Sequence, residues 1–390
     1  MKLKTVNING VGGISSLDLI LNDRMNLICG PNGIGKTTVL ECIAHLFTKH
    51  PSNILKRRAK SDRGVCQATL FVDGHHDQNG FSVDDFEPQK ESRMLAWHQH
   101  SKYLLSLKVS RSIEYQPLNA VGKDPDKNDN HFSAESRTGL NVQEIKNWFV
   151  NRYLYSAHKD AISDIQIENL ELAKECFSAL NDGYQFSRVM ASSNEIMINT
   201  PEGEIYFEYL SSGFKSCLSI LFGIIKDIEL RFKNPEVIAR DFDGIILIDE
   251  LELHLHPEWQ TRIVDILLNV FPKAQFVAST HSPHIIQNAE SNQIIALENH
   301  SGTVTQRSLA DSEYGFQGWS IEEVLNDVMG MEDTRTNEFN SEIKAFGEGV
   351  SKENYDAALS HFNNLDKMLH PENHLRKLLR LQLAGIKGAS

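Results

Sequence analysis

The run Gly30-Pro31-Asn32-Gly33-Ile34-Gly35-Lys36-Thr37-Thr38 decides how this chain is read. It matches G-x-x-x-x-G-K-[ST], a loop whose glycines let backbone N–H groups turn inward on a phosphate. Lys36 then reaches the β- and γ-phosphates and the Thr37 hydroxyl can ligate Mg²⁺. Such a motif carries weight only between a strand and a helix, and both flanks are present. Met25 to Cys29 is a short apolar run, and beyond Lys36 the apolar residues Leu40, Ile43 and Phe47 recur at helical spacing. Gly30, Asn32, Gly33, Gly35, Lys36, Thr37 and Thr38 are therefore the expected nucleotide contacts. Upstream, Leu3, Val6 and Ile8, then Leu17, Leu19 and Leu21, alternate with polar residues, the pattern of an antiparallel β part.

A second acidic signal stands far down the chain. Ile245 to Ile248 is an apolar strand that ends in Asp249-Glu250; paired with a phosphate-binding loop, the first carboxylate can hold Mg²⁺ and the second can polarise an attacking water. Two further apolar strands, Gln275 to Ala278 and Gln293 to Leu297, follow. Short apolar strands separated by helices predict an α/β fold with a mostly parallel sheet.

Leu210-Ser211-Ser212-Gly213 opens a long helix predicted over Ser212 to Arg231, with Phe214, Leu218, Leu221, Ile225 and Ile228 on one face. Taken alone it reads as an N-cap; it also resembles the signature motif of ABC-type ATPases. Ser279-Thr280-His281 then places a histidine just past the third strand, where that family carries a switch histidine. The order loop, signature, Asp–Glu and histidine resembles an ABC-type P-loop ATPase head. DELELHLHPEWQ followed by STHSPHII resembles the OLD-like, AAA_21, non-transporter branch, since transporters usually read DEPTSALD at that point. The tail GWSIEEVLNDVMG is similar to the ATPases of Septu and retron-associated anti-phage defence.

That resemblance implies two ATP molecules sandwiched between two heads. Each would be held by one copy's loop and by the other copy's Ser211, Ser212 and Gly213, with Thr37 and Asp249 on the metal and Glu250 and His281 catalytic. Leu253 to Pro257 would face the dimer, and either Gln67 or Gln116 would supply the Q-loop glutamine. It further implies a homodimer or larger homo-oligomer and an effector nuclease partner of HNH type. The rival from the same fold is a RecF- or SMC-like repair ATPase acting on DNA without such a partner.

Composition narrows the rest. Acidic residues outnumber basic ones by 52 to 39, a net charge of −13, so nucleic acid would have to be met by a local patch. Lys56, Arg57, Arg58 and Lys60, flanked by Lys49 and Arg63, form one such patch; Arg376, Lys377, Arg380 and Lys387 form another. The five cysteines are scattered without a C-x-x-C pair, and the apolar run Leu218 to Ile225 is short of the ~20 residues that span a bilayer. A reduced, cytoplasmic chain without a membrane domain is expected. His75-His76-Asp77 and His98-Gln99-His100 lack a well-spaced third ligand for a metal. Neither Asp241-Phe242-Asp243 nor Asp124-Pro125-Asp126 stands where a TOPRIM nuclease needs its acids, so the chain itself is not expected to cut DNA.

The expected organisation is the N-terminal part of the head over 1–50, an inserted mixed lobe over 51–204, the C-terminal part of the head over 205–310 and a helical region over 311–390. Within the lobe, the nearly apolar-free run from Asn119 to Arg137 reads as an exposed loop.

Overall fold

The alternation of Leu3, Val6 and Ile8 buries one face of β1 (Lys2–Val11), which pairs antiparallel with β2 (Ile14–Ile20). β3 (Met25–Cys29) has no polar face; every residue in it is buried, as in a strand covered on both sides. The helix α1 (Lys36–Leu46) follows directly. β4 (Gly64–Val72) and β5 (His75–Val83) add to β1 and complete a four-stranded antiparallel sheet in the order β2-β1-β4-β5. Half of this sheet thus comes from the segment expected to form a separate lobe. The computed structural model describes residues 1–109, 115, 117–300, 302–309, 314–331 and 335–387.

β6 (Leu104–Leu107) is wholly buried, and the run after it departs from the expected exposed loop. Asn128 caps α2 (Asp129–Thr138) by accepting the N–H groups of Asn130 and His131. Phe132, Ser133 and Ser136 on that helix are buried. Next come α3 (Ile145–Ser156), α4 (Asp164–Leu180), the antiparallel meander β7 (Gln185–Met190), β8 (Glu195–Thr200) and β9 (Gly203–Tyr206), and then α5 (Ser212–Arg231).

A large apolar core holds this region against α5, and a network of buried charges is set into it. α5 is buried along nearly its whole length, Lys226, Asp227, Glu229 and Arg231 included. Arg231 pairs with Asp227, with Glu135 at 2.8 Å, and donates to the carbonyls of Ser101 and Leu104 at 2.9 and 2.8 Å. Lys127 reaches Asp227 and Glu135 at 2.6 Å each. Arg152 of α3 joins Asp124 and lies 2.6 Å from Glu229, which also accepts the Trp148 indole N–H at 3.0 Å. Burial alone would raise the pKa of Asp227, yet Arg231 and Lys127 hold it below its ordinary value. For Glu229 burial outweighs Arg152, and its pKa rises.

β10 (Ile245–Ile248), α6 (Pro257–Gln260), α7 (Ile263–Val270), β11 (Gln275–Ser279), α8 (Pro283–Asn288), β12 (Ile294–His300) and β13 (Thr303–Gln306) complete the second sheet. Its order is β13-β12-β3-β11-β10-β6, parallel throughout except for β13 at one edge. The expected mostly parallel α/β sheet is present, and β6 from the middle segment is its other edge. Within residues 51–204, β4, β5 and β6 are therefore built into these two sheets, while β7, β8 and β9 form a third.

Contacts divide the chain into Met1–Gly330 and Met331–Ser390. α9 (Ile321–Glu323) and the π-turn Val324–Val328 belong to the first unit, with Phe316, Val324, Val328 and Met329 in its core. The helical region expected from 311 thus begins later, because this apolar stretch is absorbed by the head. The second unit consists of α10 (Asn337–Ser351), α11 (Tyr355–Met368) and α12 (His374–Lys387) around Phe339, Phe346, Phe362, Leu365, Leu379 and Leu383. Arg376 pairs with Asp366 at 2.7 Å and Arg380 with the same carboxylate at 3.5 Å, so much of the second basic cluster holds α11 to α12. No helix of the described residues is long and apolar enough to cross a membrane.

Two stability predictions follow from the buried polar groups. Arg231→Met removes one of the two cations paired with buried Asp227 and the side-chain donor to two carbonyls, and is expected to cost about 3–5 kcal/mol in denaturant unfolding. His45 on α1 is fully buried, with Nδ1 2.6 Å from the Glu41 carbonyl and Nε2 2.9 Å from Ser52 Oγ. Burial lowers its pKa to about 4 from 6.5. The unfolded chain therefore takes up the proton first: stability is full above pH 6.5 and falls by up to about 3 kcal/mol as pH drops toward 4. Unfolding free energies measured across that window should show this slope, and His45→Gln should flatten it.

Candidate nucleotide-binding site

The loop between β3 and α1 has the conformation its glycines permit. Gly30, Gly33 and Gly35 all have positive φ, at 139°, 75° and 110°. A Cβ on Gly30 would lie 2.5 Å from the Leu297 carbonyl oxygen, whereas one on Gly33 would meet nothing within 4 Å. Gly33 therefore borders open space, and only its backbone conformation excludes side chains there. Gly35 caps α1 without a side-chain hydrogen bond, which leaves the first N–H groups of the helix available to an anion. Lys36 is buried and donates to the carbonyls of Gly30 and Pro31 at 2.8 and 2.9 Å. Burial pulls its pKa down even with Glu252, Asp249 and Glu250 nearby. Thr38 lies against the β1–β2 turn, where a Cβ on Gly12 would come within 3.2 Å of its methyl group.

Parallel strands bring the acidic pair to this loop. Backbone hydrogen bonds continue past the strand ends from Asp249 N–H to Leu107 O at 2.9 Å, from Leu251 N–H to Ser279 O at 2.9 Å and from Thr280 N–H to Ile28 O at 3.0 Å. The carboxyl ends of β3, β6, β10 and β11 are thereby fastened side by side, the usual ligand edge of an open α/β sheet. Asp249 Oδ1 accepts the Ser279 hydroxyl at 2.5 Å and the Thr37 hydroxyl at 3.2 Å. Ser279 Oγ in turn accepts the Glu250 N–H at 2.7 Å. Thr37 and Asp249 form a hard oxygen set that suits Mg²⁺. Together with the uncapped helix start, these residues fit a magnesium–nucleotide complex.

Glu250 is half-buried with φ 51°, and His254 follows at φ 64°. Two non-glycine residues in the left-handed region mark a constrained turn, the kind of strain that gathers at functional sites. His281 is exposed just beyond the end of β11. Partial removal from water, then the nearby Lys36 charge, lowers its pKa, which favours the neutral imidazole. Its backbone N–H donates to Glu252 Oε1 at 2.6 Å.

The serine–glycine segment faces elsewhere. Ser211 Oγ accepts the Phe214 N–H at 3.2 Å and caps α5, while Ser212 is exposed. Gly213 is pressed against Trp259 and the His256 backbone; a Cβ there would meet Trp259 Cδ1 at 3.0 Å. A cleft of about 690 Å³ is lined by Ser211 to Phe214 and His254 to Trp259, together with Tyr184 and Tyr209, and by no residue of Gly30 to Thr38.

Other sequence candidates fall outside this arrangement. Gln67 is exposed on β4 in the antiparallel sheet, opposite Asn7 and Gly80; Gln116 lies outside the described residues. In the first basic cluster, Lys56, Arg57 and Arg58 donate to the carbonyls of Lys90, Asp84 and Gly302 at 2.5, 3.0 and 3.0 Å. Arg63 pairs with Asp84 at 2.6 Å, and Lys60 is exposed. Asp77 accepts the Trp97 indole at 2.6 Å, Asp241 pairs with Lys273 at 2.6 Å and Asp243 with the N-terminal amine at 2.7 Å. No group of three or more His, Cys, Asp or Glu able to hold a metal occurs among the described residues.

Sequence reasoning missed Ser279 and Glu252. Each was visible as a polar residue beside a recognised motif, but only parallel pairing of β10 with β11 sets the Ser279 hydroxyl against Asp249. Ser279→Ala removes a donor to Asp249, the carboxylate expected to hold the metal, and should weaken Mg²⁺-dependent ATP binding about 10- to 100-fold. Calorimetric titration with and without Mg²⁺ would measure this.

The family model AAA_21, “AAA domain, putative AbiEii toxin, Type IV TA system”, matches residues 69–287, from β4 through α8. “Septu protein PtuA” of Bacillus thuringiensis is 43% identical over 390 residues, covering 98% of each chain. “Retron Ec83 probable ATPase” of Escherichia coli is 28% identical over 168 residues, 40% of this chain and 31% of that one. Among solved structures, the SMC head domain from Thermotoga maritima aligns over 80% of this chain and 100% of that chain, at 14% identity and a TM-score of 0.46. The matched domain and near full-length identity agree with the phosphate-binding loop and strand-end carboxylates described above: the chain belongs to the AAA_21 family and to the Septu PtuA proteins.

Proposed function

We propose that the chain is an ATP hydrolase of an anti-phage defence complex, working as a pair of heads. The observation that carries this reading is the split of the motifs between two surfaces. Lys36, Thr37, Asp249 and His281 gather at the strand ends, while Ser211 to Gly213 line a separate cleft that no residue of the phosphate-binding loop borders. A second copy would bring its Ser211-Ser212-Gly213 segment, with the start of α5, to the phosphates held by Gly30, Asn32, Gly33, Gly35, Lys36, Thr37 and Thr38. Leu253 to Pro257, at the edge of both surfaces, would lie in the joint.

In this arrangement the backbone N–H groups and Lys36 hold and orient the phosphates. Mg²⁺ on Thr37 and Asp249 would neutralise charge on the transferred phosphoryl group. Glu250 orients the attacking water, and the neutral imidazole of His281 offers a hydrogen bond toward the terminal phosphate. Exclusion of water by a second copy strengthens each of these interactions. Binding would clamp the heads, hydrolysis would release them, and the change would gate an associated effector nuclease of HNH type in the cytoplasm. Identity to the Septu and retron relatives supports the defence role. The exposed Lys60, with its partly engaged neighbours Lys56, Arg57 and Arg58, is the patch best placed to meet DNA or retron nucleic acid.

Lys36→Ala is expected to abolish ATP binding, and Glu250→Gln to retain binding while stabilising an ATP-bound dimer detectable by light scattering. Unchanged turnover in Glu250→Gln would sink its assigned role. Affinity capture of Glu250→Gln with ATP and Mg²⁺, from cells carrying the natural neighbouring genes, should recover an HNH-type nuclease. Recovery of DNA and repair proteins alone would favour a RecF- or SMC-like role.

A further inference from the structure

We propose that Glu252 is a positioning residue for His281, acting through the backbone of the histidine's turn. This rests on the reading of His281 as the residue that faces the terminal phosphate. Glu252 stands two residues beyond Glu250, and both of its carboxylate oxygens are committed to one turn. Oε1 accepts the His281 N–H at 2.6 Å, and Oε2 accepts the Thr280 hydroxyl at 2.8 Å. Thr280 Oγ1 accepts the Ser282 N–H at 3.0 Å, and the Ser282 hydroxyl donates to Gln260 Oε1 at 2.6 Å. The residues on either side of His281 are thus anchored to the segment from Glu252 to Gln260. From the other side, Thr280 N–H bonds Ile28 O at 3.0 Å, so the turn is also tied to β3 just ahead of the phosphate-binding loop.

The physical consequence concerns aim. The His281 side chain is exposed, so its direction depends on where its backbone is held. A carboxylate accepting an N–H makes a charge-assisted bond roughly twice as strong as a neutral one, which makes Glu252 the strongest single anchor of that backbone. Misplacement of a reacting group by about 1 Å can cost about a hundredfold in rate. Glu252 therefore controls the chemical step while leaving the phosphate-binding loop, and with it nucleotide affinity, intact.

The test uses the full chain in single-turnover ATP hydrolysis with protein in excess, alongside binding of a fluorescent ATP analogue. Glu252→Ala is expected to slow hydrolysis about 10- to 100-fold with affinity changed by less than about threefold. Glu252→Gln keeps an oxygen for the His281 N–H and can donate to Thr280 Oγ1, so it is expected to recover most of the rate. Thr280→Val removes one of the same bonds from the other side; it should slow hydrolysis too, and add little to Glu252→Ala. If Glu252→Ala does not fold, Thr280→Val decides by the same criterion.

Wild-type rates in Glu252→Ala and Thr280→Val would overturn the proposal. Equal loss in the Gln and Ala variants would also overturn it, since charge and not positioning would then be at work. Absence of hydrolysis in the wild type, or hydrolysis indifferent to Glu250→Gln, would remove the ATPase reading itself, a result distinct from either.

Discussion

One oxygen atom organises the site. Asp249 Oδ1 takes hydrogen bonds from Ser279 on β11 and Thr37 on α1, joining residues 212 positions apart in the chain. It can do so only because β10, β11 and β3 are consecutive neighbours in one parallel sheet. Parallel strands all end on the same edge, so a carboxylate, a hydroxyl and a phosphate-binding loop that follow three separate strands arrive together. The all-buried character of β3, β10 and β11 is thus a condition of the chemistry, since each strand must be covered on both faces for this edge to exist.

Apolar side chains cover both of those faces, and buried charge is added on one side. α1 packs between the two sheets with an apolar core in which Val39, Leu40, Ile43 and Phe47 are buried. On the other side α5 carries Lys226, Asp227, Glu229 and Arg231 into the interior and recruits Asp124, Lys127, Glu135 and Arg152 as partners. Buried ion pairs add little net stability compared with apolar packing, but an unpaired member is costly. They therefore select one arrangement among many. Here they tie the loop before α2, α2 and helix α3 to α5, whose N-terminus carries the Ser211-Ser212-Gly213 segment.

That division explains what could be read in advance. Motifs whose meaning lies in consecutive residues were legible: Gly30 to Thr37, Asp249-Glu250, Ser211 to Gly213 as the start of a helix, and the alternation along β1. The parallel sheet followed from its apolar runs. The run from Asn119 to Arg137 was misread because it is poor in apolar residues; Asp124, Lys127 and Glu135 are ordered by partners from α3 and α5, 28 to 100 positions away. Likewise Gly64 to Val83 looked detached from the N-terminal strands because nothing in its own pattern names β1 as its neighbour. Ser279 and Glu252 escaped notice for the same reason, since their roles are defined by atoms from another strand or turn.

The segment from Glu250 to Gln260 is where these two kinds of order meet. At its start, Glu250 is held in a left-handed conformation by its N–H bond to Ser279. In its middle, the Leu253 carbonyl accepts the Ser216 hydroxyl of α5 at 3.2 Å. Near its end, Trp259 packs against Gly213 and lies edge-on to Phe214, with ring centroids 5.2 Å apart. One short stretch of chain therefore touches the strand edge proposed to hold the nucleotide and also the helix start proposed to serve the opposite copy. Within it, Pro257 fixes its own φ and His254 sits at φ 64°, so the path between the two contacts is conformationally restricted at these positions.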